Sequence, residues 1–176
     1  MVTRRTIFDL RKARERAHVL EGLAVALANI DEMIALIKRS PGPAEAKVGL
    51  MGQDWAAGLV ATMLQATGAE TSRPDGLAAE FGLNPKGRYR LSDAQAQAIL
   101  DLRLHRLTGL EQDKIVAEYK DLLKLIEGLR AILANPDKLL KVIRGELTEL
   151  PEQYGDERRT EIVSDQEDLT MEDLIT

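Results

Sequence analysis

Apolar residues recur with a helical period over the first 39 residues. They follow the 3-4-3-4-3 spacing of a coiled-coil seam. The seam positions are Leu10, Ala13, Ala17, Leu20, Ala24 and Leu27. A second apolar flank runs from Val19 to Ile37, which is more than a two-stranded coiled coil needs, so part of the helix should pack on something else. The pattern predicts one helix over residues 3–39, ended by the prolines and glycine of residues 40–43.

The same period returns in the second half of the chain, with a 4-3-4-3-4 spacing. These seam positions are Ile115, Tyr119, Leu122, Ile126, Leu129 and Leu133. Asn135 and Pro136 interrupt the pattern as a helix N-cap and a proline at the first helical position. Apolar residues then continue the seam from Leu140 to Leu150. We therefore interpret residues 3–39 and 111–150 as two antiparallel helices, one leading out and one leading back.

The segment between the seams holds most of the glycines and four of the six prolines of the chain. Short helices are predicted over Pro43–Met51 and over residues 53–67, where Trp55 is assigned to the core. Breakers make residues 71–90 irregular, and no strand is expected here.

Two capping boxes are then predicted. Ser92 and Gln95 form the first, which begins a helix that continues to Leu107. Thr108 caps the next helix, which covers about residues 111–134 and carries the second seam.

Residues 159–163 alternate in polarity and predict a short strand whose partner is not in this chain. The predicted fold is mainly α: a long antiparallel two-helix coiled coil, a small helical globular domain at its tip and a short strand near the C-terminus. The predicted segments are an outgoing arm (1–40), a globular tip (41–110), a returning arm (111–155) and a strand with linker (156–176).

Composition narrows the function classes. The chain has 176 residues, 44% hydrophobic but 3% aromatic, which is typical of helical bundles and coiled coils. The absence of cysteine excludes a disulfide framework and a thiolate zinc site, and His18 and His105 are too few for a histidine-built metal site. No apolar run reaches the ~20 residues of a membrane span and no signal peptide is evident, so we expect a soluble cytoplasmic protein.

The net charge of −5 is unevenly distributed. Residues 1–20 hold six basic residues against two acidic ones, whereas residues 151–176 hold nine acidic residues against two basic ones. The basic start could face phosphates or form an ordinary solvated helix face, and the sequence leaves both open. The acidic end suggests a solvating tail or linker.

No catalytic motif accompanies this pattern. Neither standard glycine-rich phosphate loop is present, and the serines lack the context of a nucleophile elbow. Tyr89, Tyr119 and Tyr154 could be nucleophiles in principle, but no acidic metal-binding cluster accompanies them. The residues alone therefore predict a mechanical or interaction element without catalytic, cofactor-binding or metal-binding residues.

Three segments have sequences that are specific enough to indicate a protein family. They are RRTIFDLRKARERAHVLEGL at residues 4–23, LSDAQAQAILDLRL at residues 91–104 followed by LTGLE, and YGDERRTEI at residues 154–162. In this order they closely resemble the A subunits of bacterial DNA gyrase, a family of type IIA topoisomerases. The resemblance covers nearly the whole chain.

The resemblance implies the coiled-coil arm and terminal knob of the breakage-reunion core. In that family two knobs meet at a two-fold axis and form the exit gate, or C-gate, which releases the transported DNA duplex during ATP-dependent negative supercoiling. The catalytic Arg-Tyr pair would precede residue 1, so the chain alone should be inactive. ATP and magnesium would be bound by the B subunit, and no cofactor is expected here.

The implied partners are a second copy of the chain, the B subunit in an A2B2 complex, and double-stranded DNA in the bacterial cytoplasm, at the nucleoid. We predict that the capped helix supplies the dimer interface, with Leu91, Ala94, Gln95, Ala98 and Arg103 as candidate residues. Asn135 and Pro136 are candidate hinge residues. The alternatives are an unrelated coiled-coil adaptor with no role on DNA and the equivalent segment of a topoisomerase IV A-type subunit.

Overall fold

The computed structural model describes residues 1–68, 70–102, 109–160 and 162. This part of the chain is mainly helical, as predicted, and also contains a three-stranded sheet. The elements are α1 (Val2–Ala28), α2 (Ile30–Arg39), α3 (Pro43–Met51), β1 (Trp55–Ala56), α4 (Leu59–Thr67), β2 (Gly82–Leu83), β3 (Arg88–Arg90), α5 (Asp93–Asp101), α6 (Gly109–Ala134) and α7 (Pro136–Tyr154). They fall into two compact units, Met1–Leu139 and Leu140–Thr176. The segment boundaries predicted at residues 40 and 110 both lie inside the first unit.

The helix predicted over residues 3–39 is in fact two helices, α1 and α2. Asn29 separates them with φ −130° and ψ 30°, outside the helical region. Its side-chain amide donates to the carbonyl oxygens of Val25 and Ala56, each at 2.8 Å, and its Oδ1 accepts from the amide of Ala56. Because an asparagine side chain can replace backbone partners in this way, it pairs the carbonyl oxygen of Val25 at the point where the first helix ends.

The C-terminal half of α1 is the centre of the first unit. α1 packs most extensively against α6, and also against α4, α5 and β1. The buried positions in this half are Ala17, His18, Leu20, Glu21, Gly22, Leu23, Ala24, Val25 and Ala26. A helix buried on all sides needs apolar residues all round, which explains the second flank beside the seam.

A small sheet lies where no strand was expected, so that prediction was wrong. β3 is its middle strand and pairs antiparallel with β1 on one side and β2 on the other. Between β2 and β3, the Asn84 Oδ1 accepts from the backbone amides of Lys86 and Arg88, and Gly87 supplies a φ of +72°. The helix predicted from residue 53 begins at Leu59 instead, because the residues around Trp55 pair with β3.

The capped helices agree better with the sequence. α3 has the predicted bounds, and α5 begins with the predicted capping box, in which both Ser92 and Gln95 take part. α5 ends at Asp101, and the rest of the predicted helix, as well as the predicted cap at Thr108, lies outside the described residues. α6 begins at Gly109 and ends, as expected, before Asn135.

α7 continues through Pro151 to Tyr154. Arg159 and Thr160 form a bend and Ile162 has no regular structure, so the predicted strand is not found at these residues; Glu161 and Val163 lie outside the described part. A strand needs a hydrogen-bonded neighbour, and no described segment pairs with this one.

Candidate functional site

The centre of the first unit contains a buried carboxylate. Glu21 on α1 is 4% exposed and accepts hydrogen bonds from three hydroxyl groups. Tyr89 on β3 donates to Oε1 at 2.5 Å, and Tyr119 on α6 donates to Oε2 at 3.2 Å. Ser72, between α4 and β2, also donates to Oε2. One side chain of α1 therefore joins α6, β3 and the segment that precedes β2.

A second set of hydrogen bonds leads from Tyr89 to α5. Gln95 Nε2 donates to the Tyr89 hydroxyl at 2.8 Å and to the carbonyl oxygen of His18 at 2.7 Å. Gln95 Oε1 accepts from the amide of Ser92, whose hydroxyl lies 2.7 Å from His18 Nε2. Gly22 makes this approach possible, because a Cβ there would lie 2.6 Å from Gln95 Cγ. We call the following residues the buried polar cluster: His18, Glu21, Ser72, Tyr89, Ser92, Gln95 and Tyr119.

The local sequence explains why these side chains meet. Tyr89 is the middle residue of β3 and pairs with Trp55 on β1 and with Leu83 on β2, so it is held at the centre of the sheet. Gln95 is the third helical residue of α5 and completes the capping box. On α1, His18 and the cluster's carboxylate are three residues apart and therefore share a face.

Burial shifts the pKa values of the four ionisable residues of the cluster. It raises the pKa of Glu21, against the effect of the three hydroxyl donors and the positive charge of Arg73. It lowers the pKa of His18 to about 4, with a further contribution from Arg73, so this imidazole is neutral at physiological pH. Burial, reinforced by the nearby glutamate, raises the pKa of Tyr89 and of Tyr119. Both phenols therefore act as hydrogen-bond donors and are poor nucleophiles.

Arg73 organises the loop beside the cluster. Its guanidinium donates to the carbonyl oxygens of Phe81 and Leu77, each at 3.0 Å, and to that of Ala78 at 2.6 Å. Between this arginine and the cluster lies a cavity of about 140 Å³, enough for a few water molecules. Its lining is largely polar and includes His18, Glu21, Glu70, Ser72, Arg73 and Tyr89.

The cluster offers structure rather than chemistry. In the described ranges, no group of three or more histidine, aspartate or glutamate side chains could hold a metal ion. None of the described helices is long and apolar enough to cross a membrane. The arrangement can hold five parts of the fold in register, because α1, the loop, β3, α5 and α6 each contribute a side chain to it.

The predicted dimer residues divide into two groups. Leu91 and Gln95 are fully buried inside the chain, where they hold the start of α5 in place. Ala94 is exposed and Ala98 is half-buried, so α5 presents small residues to the outside. Arg103 lies outside the described residues.

The predicted seam residues lie on the packed faces of α1 and α6. Ala13, Ala17, Leu20, Ala24, Tyr119 and Ile126 are buried, whereas Leu10, Leu27, Ile115, Leu122, Leu129 and Leu133 are half-buried. The predicted hinge coincides with the break between α6 and α7. There, Asn135 Oδ1 accepts from the amide of Asp137 at 2.9 Å, as an N-cap does, and Pro136 is the first residue of α7.

Comparison with known proteins assigns the chain to a family. Residues 1–148 match the family model that describes the A subunits of DNA gyrase and topoisomerase IV. The chain belongs to this family. It is 57% identical over its full length to the DNA gyrase A subunit of Aeromonas salmonicida, and 56% identical to those of Pseudomonas aeruginosa and Escherichia coli K12. It spans 19% of the first two proteins and 20% of the third, or about a fifth of the length of each.

The buried polar cluster of this gyrase-family chain was missed at the level of sequence. Its signal is a pair of ionisable residues, His18 and Glu21, in an otherwise apolar run from Ala17 to Ala28. Such a pair inside a buried helix face requires partners. The identity of those partners could not be found in this way, because Tyr89 and Tyr119 are distant in sequence.

Proposed function

We propose that the chain is the coiled-coil and exit-gate segment of a gyrase-type A subunit. In this role two copies associate through their tips, close a cavity that receives a transported DNA duplex, and separate to release it. The cleavage of DNA and the hydrolysis of ATP take place in parts of the enzyme outside this chain, with ATP and magnesium bound by the B subunit of an A2B2 complex. The chain would act in the bacterial cytoplasm.

The observation that carries this proposal is the pairing of α1 with α6. They are 27 and 26 residues long, so each is roughly 40 Å in length. Residues 29–108 connect them, and the described part of this stretch contains the sheet and α5. A long helix pair with a folded insert between its two members is the arrangement that an arm with a terminal knob requires.

The dimer contact is assigned to the outer side of α5. A two-fold interface must be complementary to itself, and small side chains let two copies of the same helix approach closely. Ala94 and Ala98 provide such a surface. The buried Leu91 and Gln95 contribute indirectly by fixing the helix that carries it. A gate that reopens in each cycle is also served by a contact of modest apolar area.

A gyrase role is favoured over a topoisomerase IV role. The family model covers both kinds of enzyme, but the three relatives compared above all belong to gyrases. The two assignments share the gate and differ in the reaction that the complete enzyme performs. Supercoiling of relaxed plasmid by the full-length protein with its B partner separates them.

Self-association of the chain tests the proposal most directly. Sedimentation equilibrium should show a concentration-dependent dimer, and Ala94→Arg should weaken it at least about tenfold, because two guanidinium groups would face each other across the axis. Ala117→Arg is the matched control, since Ala117 is an exposed alanine on α6. A wild-type chain that stays monomeric at high micromolar concentration, or equal effects of both substitutions, would exclude this dimer mode.

A further inference from the structure

The buried polar cluster connects the proposed dimer helix to the helix pair. We propose that Glu21 is a positioning residue: its carboxylate links α6 to β3 and, through Tyr89 and Gln95, sets the position of α5. A displacement of α6 against α1 is then transmitted to the surface that closes the gate. This inference rests on the proposed function, because it concerns how the arm and the gate surface are coupled.

The two oxygens of Glu21 serve different parts of the fold. Oε2 accepts from Tyr119, the cluster residue on α6. Oε1 accepts from Tyr89, the cluster residue on β3, at 2.5 Å. Both tyrosine side chains are fully buried, so each of these hydrogen bonds lies inside the core. A shift of α6 must therefore either carry the carboxylate with it or break a buried hydrogen bond.

The path from β3 to α5 is equally constrained. Gln95 uses both hydrogens of its amide, one on the Tyr89 hydroxyl and one on the His18 carbonyl oxygen. Its oxygen caps the amide of Ser92, directly before α5. The first turn of α5 is thus tied to β3 and to α1 through one side chain. Ala94, the exposed residue of the proposed dimer surface, lies in that same turn.

Stability alone is a poor reason for this arrangement. Taking a carboxylate out of water is unfavourable, and apolar groups of similar volume often pack as well or better. What a hydrogen-bonded carboxylate adds is direction, because its bonds weaken steeply when their geometry changes. A network of this kind favours discrete arrangements of the elements it joins, as a gate with closed and open states needs.

The test compares single hydroxyl deletions in the full-length protein in complex with its B partner. Tyr119→Phe removes the bond from α6, and Tyr89→Phe removes the bond from β3. Ser72→Ala is the matched control: it removes a hydroxyl from the same carboxylate and leaves both tyrosine hydroxyls that donate to it in place. Supercoiling rate, DNA cleavage and thermal midpoint are measured for each.

We expect both phenylalanine variants to supercoil about fivefold more slowly, the effect of one net hydrogen bond, with DNA cleavage unchanged. The double variant should be no slower than the slower single one, because both act through one carboxylate. Ser72→Ala should supercoil at nearly the wild-type rate. Cleavage and supercoiling that fall together with the thermal midpoint would indicate only a structural role and overturn the inference.

Equal effects of Ser72→Ala and Tyr119→Phe on the supercoiling rate would also overturn the positioning role of Glu21. Failure of the proposed function gives a different result: the wild-type chain would not dimerise, whatever the cluster does. The dimer could also form normally while Tyr89→Phe and Tyr119→Phe both supercoil at the wild-type rate. This result would support the proposed gate and exclude Glu21 as its positioning residue.

Discussion

His18 and Glu21 show how one buried environment acts on two ionisable residues of opposite sign. Burial lowers the pKa of the histidine to about 4 and raises that of the glutamate, so both shifts favour the neutral form. Their effects on folding at low pH are opposite. The neutral His18 contributes to the free energy of unfolding above its unfolded pKa of 6.5, and this contribution is lost as the pH falls towards 4. The contribution of Glu21 to the free energy of unfolding is present below its ordinary pKa, and it is lost as the pH rises through the raised pKa of the folded chain.

Replacing His18 by Gln should therefore remove part of the acid sensitivity of the fold. Between about pH 7.5 and about pH 4.5, the free energy of unfolding of the wild type should fall by about 2–3 kcal/mol more than that of the variant. The glutamine cannot take up the proton that the unfolded histidine binds. Urea unfolding at a series of pH values measures this difference, and parallel pH curves would show that His18 remains able to titrate in the folded chain.

The sequence indicated which residues of the cluster needed partners, but not which partners they would find. His18 and Glu21 are conspicuous in an apolar run of α1. Gln95 was correctly placed in a capping box, yet its amide also reaches back to α1. That second role depends on the space beside Gly22, which only the packing of α5 against α1 reveals.

At the scale of elements, Asn29 decides where α1 ends. The heptad pattern alone predicted an unbroken helix, because apolar spacing does not record the side-chain hydrogen bonds of a single asparagine. Those bonds connect the break to Ala56 in β1, so the start of α2 and the edge of the sheet are fixed together.

Asn29→Ala should lower the free energy of unfolding by about 1–3 kcal/mol, because it removes the side-chain partners of the buried Val25 carbonyl in α1 and of the partly buried Ala56 backbone groups in β1. Asn135→Ala is the control, since it removes an exposed N-cap and should cost about 1 kcal/mol. Chemical denaturation of both variants gives the comparison. A smaller loss for Asn29→Ala than for Asn135→Ala would mean that water or α2 takes over its hydrogen bonds.

The strands could not be predicted for a physical reason. β1 and β2 have two residues each and β3 has three, which is too short for an alternating pattern. Their stability comes from pairing across the chain: Trp55 lies opposite Tyr89, far along the sequence. The helices α3 and α5, by contrast, carry local signals. A proline at the first position predicted the start of α3, and the capping box predicted the start of α5 to within one residue.

At the scale of the whole molecule, the two seams predict that α1 packs against α6, but they do not predict how completely the other elements bury α1. α1 and α6 do pack together, and their seam residues are buried or half-buried. The wide apolar stripe on α1 correctly indicated a further partner, and α4, α5 and β1 fill that place. The segment predicted as the outgoing arm therefore also packs against elements of the segment predicted as the tip.

The break between α6 and α7 lies close to the division between the two compact units, at Leu139 and Leu140. The seam remains in phase across it: Pro136 follows Leu133 by three residues and precedes Leu140 by four. A helix could therefore continue here with its apolar positions aligned, and the cap and the proline prevent it. This arrangement is typical of a hinge that interrupts a regular helix, and the hinge at Asn135 and Pro136 stays a prediction.

Replacing both Asn135 and Pro136 by Ala should join the two helices, since alanine supplies the missing amide and favours the helix. Only Asn135 lies between the two helices, so a crystal structure of the double variant is the measurement that shows whether they have joined. In the full-length enzyme with its B partner, supercoiling should slow about two- to fivefold while DNA cleavage is unchanged, because a stiffer arm raises the barrier to opening the gate. Pro151→Ala is the matched control, since it removes a proline from the interior of α7 and leaves the break intact. Normal supercoiling by a double variant whose structure shows one continuous helix would show that the enzyme does not need to bend here.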